Sequence, residues 1–352
     1  MSHYDIYAIG NALVDSEYEV SDALLQSMGV DKRHMTLIDT PRRAELLHHV
    51  KAITPRQTGG GSAGNTVVAL AQLGGKAFYS CKVAHDDLGD FYVKDLQARG
   101  VETNLNHTRA LDGQTGSCMV LVTPDAERSM CTFLGVSAEL DDKALHPQDI
   151  VKSKIYYMEG YLAASPTGLN AALQGRKIAK DAGVALALTL SDVSMIQFCK
   201  AGLDAMLGDG VDYLFCNQEE AQVWCGSEDL NVVKQTLQKL AKMVCLTRGP
   251  DGSEIITAEH SWHVPADKVK AIDTNGAGDM FAGAFLYAIA RGYSPEKAAN
   301  LGNHAAAAVV SQHGNRLTLG QLSTIKAYAL PTLKYDNPKR QDERTPNNKK
   351  NQ

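Results

Sequence analysis

No stretch of this 352-residue chain approaches the roughly 18 consecutive apolar residues of a membrane-spanning helix. Its start, Met1-Ser2-His3-Tyr4-Asp5, lacks the basic region and apolar core of a secretory signal. No membrane partner is expected, and the expected compartment is cytoplasmic. An excess of positive charge is also missing: the formal net charge is -5, which gives no electrostatic footprint for nucleic acid. The seven cysteines are scattered, odd in number and never spaced C-x-x-C, so they read as thiols in a reducing compartment rather than as a disulfide frame or zinc site. The chain has no internal repeat and no G-x-x-x-x-G-K-[ST] loop, so bound phosphates would be cradled in some other way.

What is present is ordinary globular composition, 44% hydrophobic and 21% charged, at a length that allows about two domains or one large domain with an appendage. Short apolar runs at Tyr4–Gly10, Ala77–Cys81, Ile155–Met158, Val184–Leu190, Val211–Cys216 and Met243–Thr247 read as buried strands. Helical patterns separate many of them: Ser62–Leu73, Leu88–Arg99, Gly168–Asp181, Gln218–Cys225 and Val232–Ala241. That alternation predicts right-handed βαβ units and a mostly parallel α/β sheet covered on both faces, with ligands beyond the carboxyl ends of its strands. Two segments, Leu13–Asp39 and Thr115–Val136, break the rhythm with short strand patterns. Ser117–Val122 and Ser129–Leu134 suggest a hairpin outside the main sheet and, with the first segment, a small β lid. Ser294 with Pro295 predicts a final helix running to about His313 and stopped at Gly314.

The strongest chemical signal is Asp273-Thr274-Asn275-Gly276-Ala277-Gly278-Asp279, followed by the helical run Met280–Leu286. Small residues let a backbone approach a ligand, and the free N–H groups of a helix start attract phosphate-like charge. An anion hole beside a carboxylate points to phosphoryl transfer, although an isolated Gly-Ala-Gly would more often be a turn capped by Asp279. A second cluster, Gly59-Gly60-Gly61-Ser62-Ala63-Gly64-Asn65, matches G-x-G-x-x-G formally. It follows Ile53-Thr54-Pro55-Arg56-Gln57-Thr58, which is too polar for the first strand of a dinucleotide fold. Asn11 and Asp15 stand just beyond the first strand, where a carboxylate suits a vicinal diol. Glu220 falls in the first turn after Asn217, and Thr247-Arg248-Gly249-Pro250-Asp251-Gly252 makes a turn.

The Asp273–Asp279 stretch resembles the second signature of the PfkB family, the ribokinase-like sugar and nucleoside kinases. Asn at its third place is most similar to the adenosine kinases. The Gly-Gly-Ser-x-x-Asn at Gly60, Gly61, Ser62 and Asn65 resembles the first signature, continuing through Gln72-Leu73-Gly74-Gly75 to Asp86–Gly89, and the likeness spans Tyr4 to about Leu317. The resemblance implies a ribokinase-like three-layer fold. Residues 1–334 would be the kinase, with a large α/β domain at about 1–12, 41–110 and 137–334, a β lid at about 13–40 and 111–136, and a polar, disordered tail at 335–352. It also implies an ATP- and Mg2+-dependent phosphotransferase acting on the primary hydroxyl of a nucleoside. A free-sugar kinase (ribose, fructose or a keto-deoxy sugar acid) and a non-catalytic sensor are the alternatives.

In that reading Asp279 is the base, and Asn275, Gly276, Ala277 and Gly278 supply the anion hole. Asn11, Asp15, Gly60, Gly61, Ser62, Asn65 and Tyr161 hold the acceptor. Asn217, Glu220, Thr247, Gly249, Gly252, Asn303 and Arg128 serve the nucleotide, with His304 beside Asn303. Glu220 would approach Mg2+ through water, and Asp273 would help hold a monovalent cation such as K+. The helix dipole is expected to keep Asp279 ionised and hence weakly basic, which a loose phosphoryl-transfer transition state tolerates. Leu162 replaces a second aromatic, and Arg33-His34-Met35 lacks the polar lid residue of nucleoside-specific members. The expected partners are a small molecule and, at most, a second copy in a homodimer.

Overall fold

Fourteen strands form two sheets in the computed structural model, which describes residues 3–125 and 127–330. They are β1 Tyr4–Ile9, β2 Leu13–Glu19, β3 Met35–Leu37, β4 Arg56–Gly60, β5 Ala77–Ser80, β6 Val101–Thr103, β7 Ser117–Val122, β8 Arg128–Phe133, β9 Ser153–Glu159, β10 Ala185–Thr189, β11 Val211–Asn217, β12 Ala241–Thr247, β13 Ser253–Thr257 and β14 Ser261–Val264. The larger sheet has the order β14-β13-β12-β11-β10-β9-β1-β5-β6. It is parallel from β12 to β6, and only the β12–β13 and β13–β14 pairings are antiparallel. Its two faces carry separate apolar cores under helices, the α/β architecture expected. Five cysteines are buried, two are partly so, and all seven are unpaired.

The smaller sheet, β3-β8-β7-β2-β4, is the expected lid with two additions. Arg56–Gly60, assigned to the large domain by sequence, pairs antiparallel with β2 from Leu13↔Gly60 to Glu17↔Arg56. Pro55 and the polar residues do bar it from a sheet centre, and it occupies an edge. The helix Thr40–His49 buries Leu46 in the lid's own core beside Tyr18, Leu25, Met119 and Leu121. Two element ends also move. The helix expected over Val232–Ala241 is Leu230–Leu237, because Ala241 already pairs with Val211. The last long helix is Pro295–Val310, ending before His313. The expected tail, 335–352, lies outside the described residues.

Two helices bring the chemistry together. Ala277–Ala290 buries Met280, Phe281 and Phe285, each contributing about 1.5–3 kcal/mol, so its first turn is firmly anchored. It packs on Ser62–Gln72, and the approach is close: a Cβ on Gly283 would lie 2.4 Å from the Thr66 carbonyl oxygen. Glycine there lets the helix carrying Asp279 reach the one carrying Ser62 and Asn65.

Candidate active site

A cleft of about 410 Å³ opens between the lid and the carboxyl ends of the parallel strands, a size suited to a small ligand. It gathers Asn11, Asp15, Gly61, Ser62, Asn65, Tyr161, Asn217, Glu220, Asn275, Gly276, Ala277, Gly278 and Asp279. Asn11 follows β1, Tyr161 follows β9, and Asn217 closes β11, so separate strand ends deliver them to one place.

The half-buried Asp279 lies in the first turn of its helix and faces the cleft. Ser62 Oγ donates to its Oδ1 at 2.6 Å, and Asn65 Nδ2 donates to its Oδ2 at 2.9 Å. Burial raises its carboxyl pKa to about 6 against the pull of Ser62, Asn65 and Arg316. That departs from the expectation of a dipole-lowered, weak base: desolvation is the largest influence here, and the group ionises just below neutrality. Ser62 and Asn65, expected to hold the acceptor's hydroxyls, instead direct their polar ends at Asp279. Asn65 Oδ1 also accepts from Arg316 Nε at 2.9 Å, which leaves its amide committed within the protein.

The anion loop is half free. The Asn275 N–H donates to Asp273 Oδ1 at 3.1 Å, and that of Ala277 donates to the Thr274 carbonyl at 3.3 Å. The expectation that all four amides from Asn275 to Gly278 face a ligand is therefore corrected to two. Among the described residues, the N–H groups of Gly276 and Gly278 have no intrachain acceptor. The helix N-cap is Gly276, which brings no side-chain cap, so the dipole end stays open.

Three further carboxyls face this space. Asp15 accepts from Asn315 Nδ2 at 2.8 Å, and burial lifts it to about 6 despite Arg316 and Arg128. Glu159 closes β9, accepts from Ala63 N at 2.8 Å and Asn11 N at 3.2 Å, and is raised by burial to about 8. Glu220 accepts from Asn217 N at 3.0 Å and Asn217 Nδ2 at 2.7 Å in a reciprocal capping box, and burial raises it to about 7. A divalent cation compensating these groups would be chemically welcome. Among the described residues no cluster of three or more His, Cys, Asp or Glu could hold one alone, so a cation would have to be shared with ligand phosphates.

Other expected residues lie elsewhere. Gly60 backs the cleft, its carbonyl accepting from Tyr92 Oη at 2.9 Å. Thr247 pairs in register with Asn217 on the next strand, and with Gly249 and Gly252 it stands outside the cleft wall. Asn303 is buried, and its amide donates to the Val264 carbonyl at 2.8 Å and the Pro265 carbonyl at 3.2 Å. It therefore ties a helix to the end of β14 and the loop after it, apart from the residues lining the cleft, while His304 bonds to Asp267. Arg128 bridges Glu17 at 2.8 Å and Asp273, lining a smaller pocket on the other side of the anion loop. Asp273 also accepts from the Gly314 N–H at 3.0 Å. A guanidinium thus already neutralises the carboxylate expected to hold K+, and no cation site is assigned there. Sequence reading passed over Glu159, Asn315 and Arg316. Glu159 has the signal of an acid ending an apolar strand, while the other two follow a helix-stop glycine and carry none.

The pfkB family carbohydrate kinase model matches residues 30–321, and the chain belongs to that family. Among solved structures, the adenosine kinase of Sinorhizobium meliloti is 35% identical, with 93% of this chain and 99% of that one covered at a TM-score of 0.83. A probable sugar kinase of Rhizobium etli CFN 42 is 34% identical over 94% and 99% of the two chains, with a TM-score of 0.82. The ribokinase of Staphylococcus aureus (strain COL) is 25% identical, covering 86% of this chain and 97% of its own length. Membership makes the chain a kinase of small-molecule sugars or nucleosides, with ATP as phosphoryl donor. Among the described residues no helix is long and apolar enough to cross a membrane.

Proposed function

We propose that the acceptor is the primary hydroxyl of a ribose-bearing nucleoside, with adenosine the first candidate. The observation that carries this is the two-sided character of the cleft. Its lid side is apolar, built from Leu13, Met35, Leu37, Met130 and Leu134, and Tyr161 and Met195 add to it from the large domain. Met35 and Leu37 are 47% and 61% exposed, an apolar surface that a flat base would cover. Next to Leu13 on the lid strand β2 stands Asp15, suited to the two ribose hydroxyls, and Asp279 faces the cleft from the large domain.

In this reading the acceptor oxygen attacks the γ-phosphorus as the bond from that phosphorus to the bridging oxygen breaks. ADP leaves, and the proton passes to the Asp279 carboxylate, whose raised pKa makes it a competent acceptor near neutrality. Charge spreading over the transferred group meets the Gly276 and Gly278 amides, and one such donor is worth about 3 kcal/mol. Mg2+, when bound, would compensate the phosphate charge, with Glu220 the side chain placed to hold it through water.

A panel of nucleosides and free sugars incubated with ATP and Mg2+, with products identified by mass, tests the acceptor. Nucleoside monophosphate with matching ADP is expected. Phosphorylated ribose or fructose, with nucleosides untouched, would transfer the assignment to the sugar-kinase reading that the Rhizobium etli and Staphylococcus aureus relatives favour.

A further inference from the structure

The turn after the Pro295–Val310 helix touches the site at three successive residues. The Gly314 N–H donates to Asp273, Asn315 Nδ2 donates to Asp15, and Arg316 Nε donates to Asn65 Oδ1 at 2.9 Å. Arg316 is only 8% exposed. Its Nη1 is paired with Asp95, which also binds Arg99. The pair sits against Gly59, where a Cβ would fall 2.4 Å from Asp95 Oδ2 and 2.8 Å from Arg316 Nη1. A bare backbone at this position of the glycine cluster is what admits a buried guanidinium.

The chemistry of the chain Asp95–Arg316–Asn65–Asp279 is directional. Arginine only donates, so Asn65 must turn its oxygen toward Arg316, which leaves its nitrogen for the Asp279 carboxylate. Without Arg316 the amide could rotate and set an oxygen against the carboxylate. Arg316 is also the cation whose charge bears on Asp279. The other titratable groups coupled to it are Asp15, Glu159 and Glu220 with Tyr157 and Tyr161, and the Asp279 charge raises the pKa of each.

We propose that Arg316 is a positioning residue for phosphoryl transfer: it fixes the Asn65 amide as a donor to Asp279 and supplies the positive charge that keeps this carboxylate ionised. The inference rests on Asp279 being the base.

The test compares wild type with Arg316→Met, Arg316→Lys, Asn65→Ala and the corresponding double variants. The readouts are kcat from acid to alkaline pH, KM for the acceptor, and thermal unfolding. For Arg316→Met, loss of the cation raises the Asp279 pKa, so the acid limb of kcat should move up by about one unit. The rate should fall about twofold at neutral pH and about tenfold on the acid side of the limb, and recover as the pH rises. Asn65→Ala should cost far less in the Arg316→Met background than in wild type, because the amide is already misdirected. Arg316→Lys keeps the charge but not the fork, so its acid limb should stay in place while coupling to Asn65 is lost. It carries the test by that coupling if the Met variant does not fold.

An unshifted acid limb with additive losses and only a lower unfolding temperature would reduce Arg316 to a structural pin and overturn the inference. Wild type that phosphorylates no acceptor in the panel would instead overturn the kinase assignment beneath it.

Discussion

Two helices begin at the rim of the same cleft with an acid in the first turn, and they use it in opposite ways. At Gln218–Cys225, Asn217 and Glu220 cap each other and satisfy the helix's own donors. At Ala277–Ala290 the N-cap is Gly276, no side chain caps the helix, and Asp279 is held by Ser62 and Asn65 from a different helix. The first arrangement stabilises its own helix end. The second leaves backbone donors open and keeps a carboxylate poised beside them, so stability is given up where binding and proton transfer are needed.

Removing the Asp279 carboxyl should break this contrast most severely. Asp279→Asn is expected to lower kcat by about 10²–10⁴-fold while ATP still binds, as steady-state kinetics and nucleotide titration would show. The variant should be no less stable than wild type at alkaline pH. A carboxyl raised above its unfolded value favours the folded state at low pH and loses that contribution as pH climbs from about 4 through about 6. Marked unfolding of this variant would show that the carboxyl is structural, like the Asn217–Glu220 pair.

Next in size is Glu220→Gln, which retains a side-chain acceptor for the cap. Half-maximal activity should require about 10–100-fold more Mg2+, with the unfolding temperature little changed. A Mg2+ curve that superimposes on wild type would confine Glu220 to capping. The smallest effect should come from Asn217→Ala, which removes one cap hydrogen bond. It should cost about 1 kcal/mol in denaturant unfolding, with the Asp279 acid limb unmoved.

The same contrast shows what the sequence made legible. Gln218–Cys225 keeps its expected bounds, and the cap, N3 acid and closing Gly226 that the structure shows there are all local in sequence. Six of the seven parallel strands were readable because each is a short, mostly buried apolar run, while β6, with its exposed Glu102, was not. The edge strand Arg56–Gly60 escaped notice because it carries no apolar alternation and exists by virtue of backbone pairing with β2. In the site, the residue types of Asp279, Gly276 and Gly278 announced themselves. What could not be read was who holds whom: Asn65 meets Asp279 across 214 residues, Arg316 meets Asn65 across 251, and Asn315 meets Asp15 across 300. Nor could residue spacing reveal that burial would raise the Asp279 pKa.

The most direct measurement is the pH dependence of kcat for wild type and Asp279→Asn side by side, at saturating ATP, Mg2+ and acceptor. Wild type should lose activity as pH falls through about 6, and the residual rate of the variant should show no such limb. A limb near 6 that persists without the carboxyl, or a variant turning over at the wild-type rate, would contradict the role given to Asp279 and the phosphoryl-transfer geometry built around it.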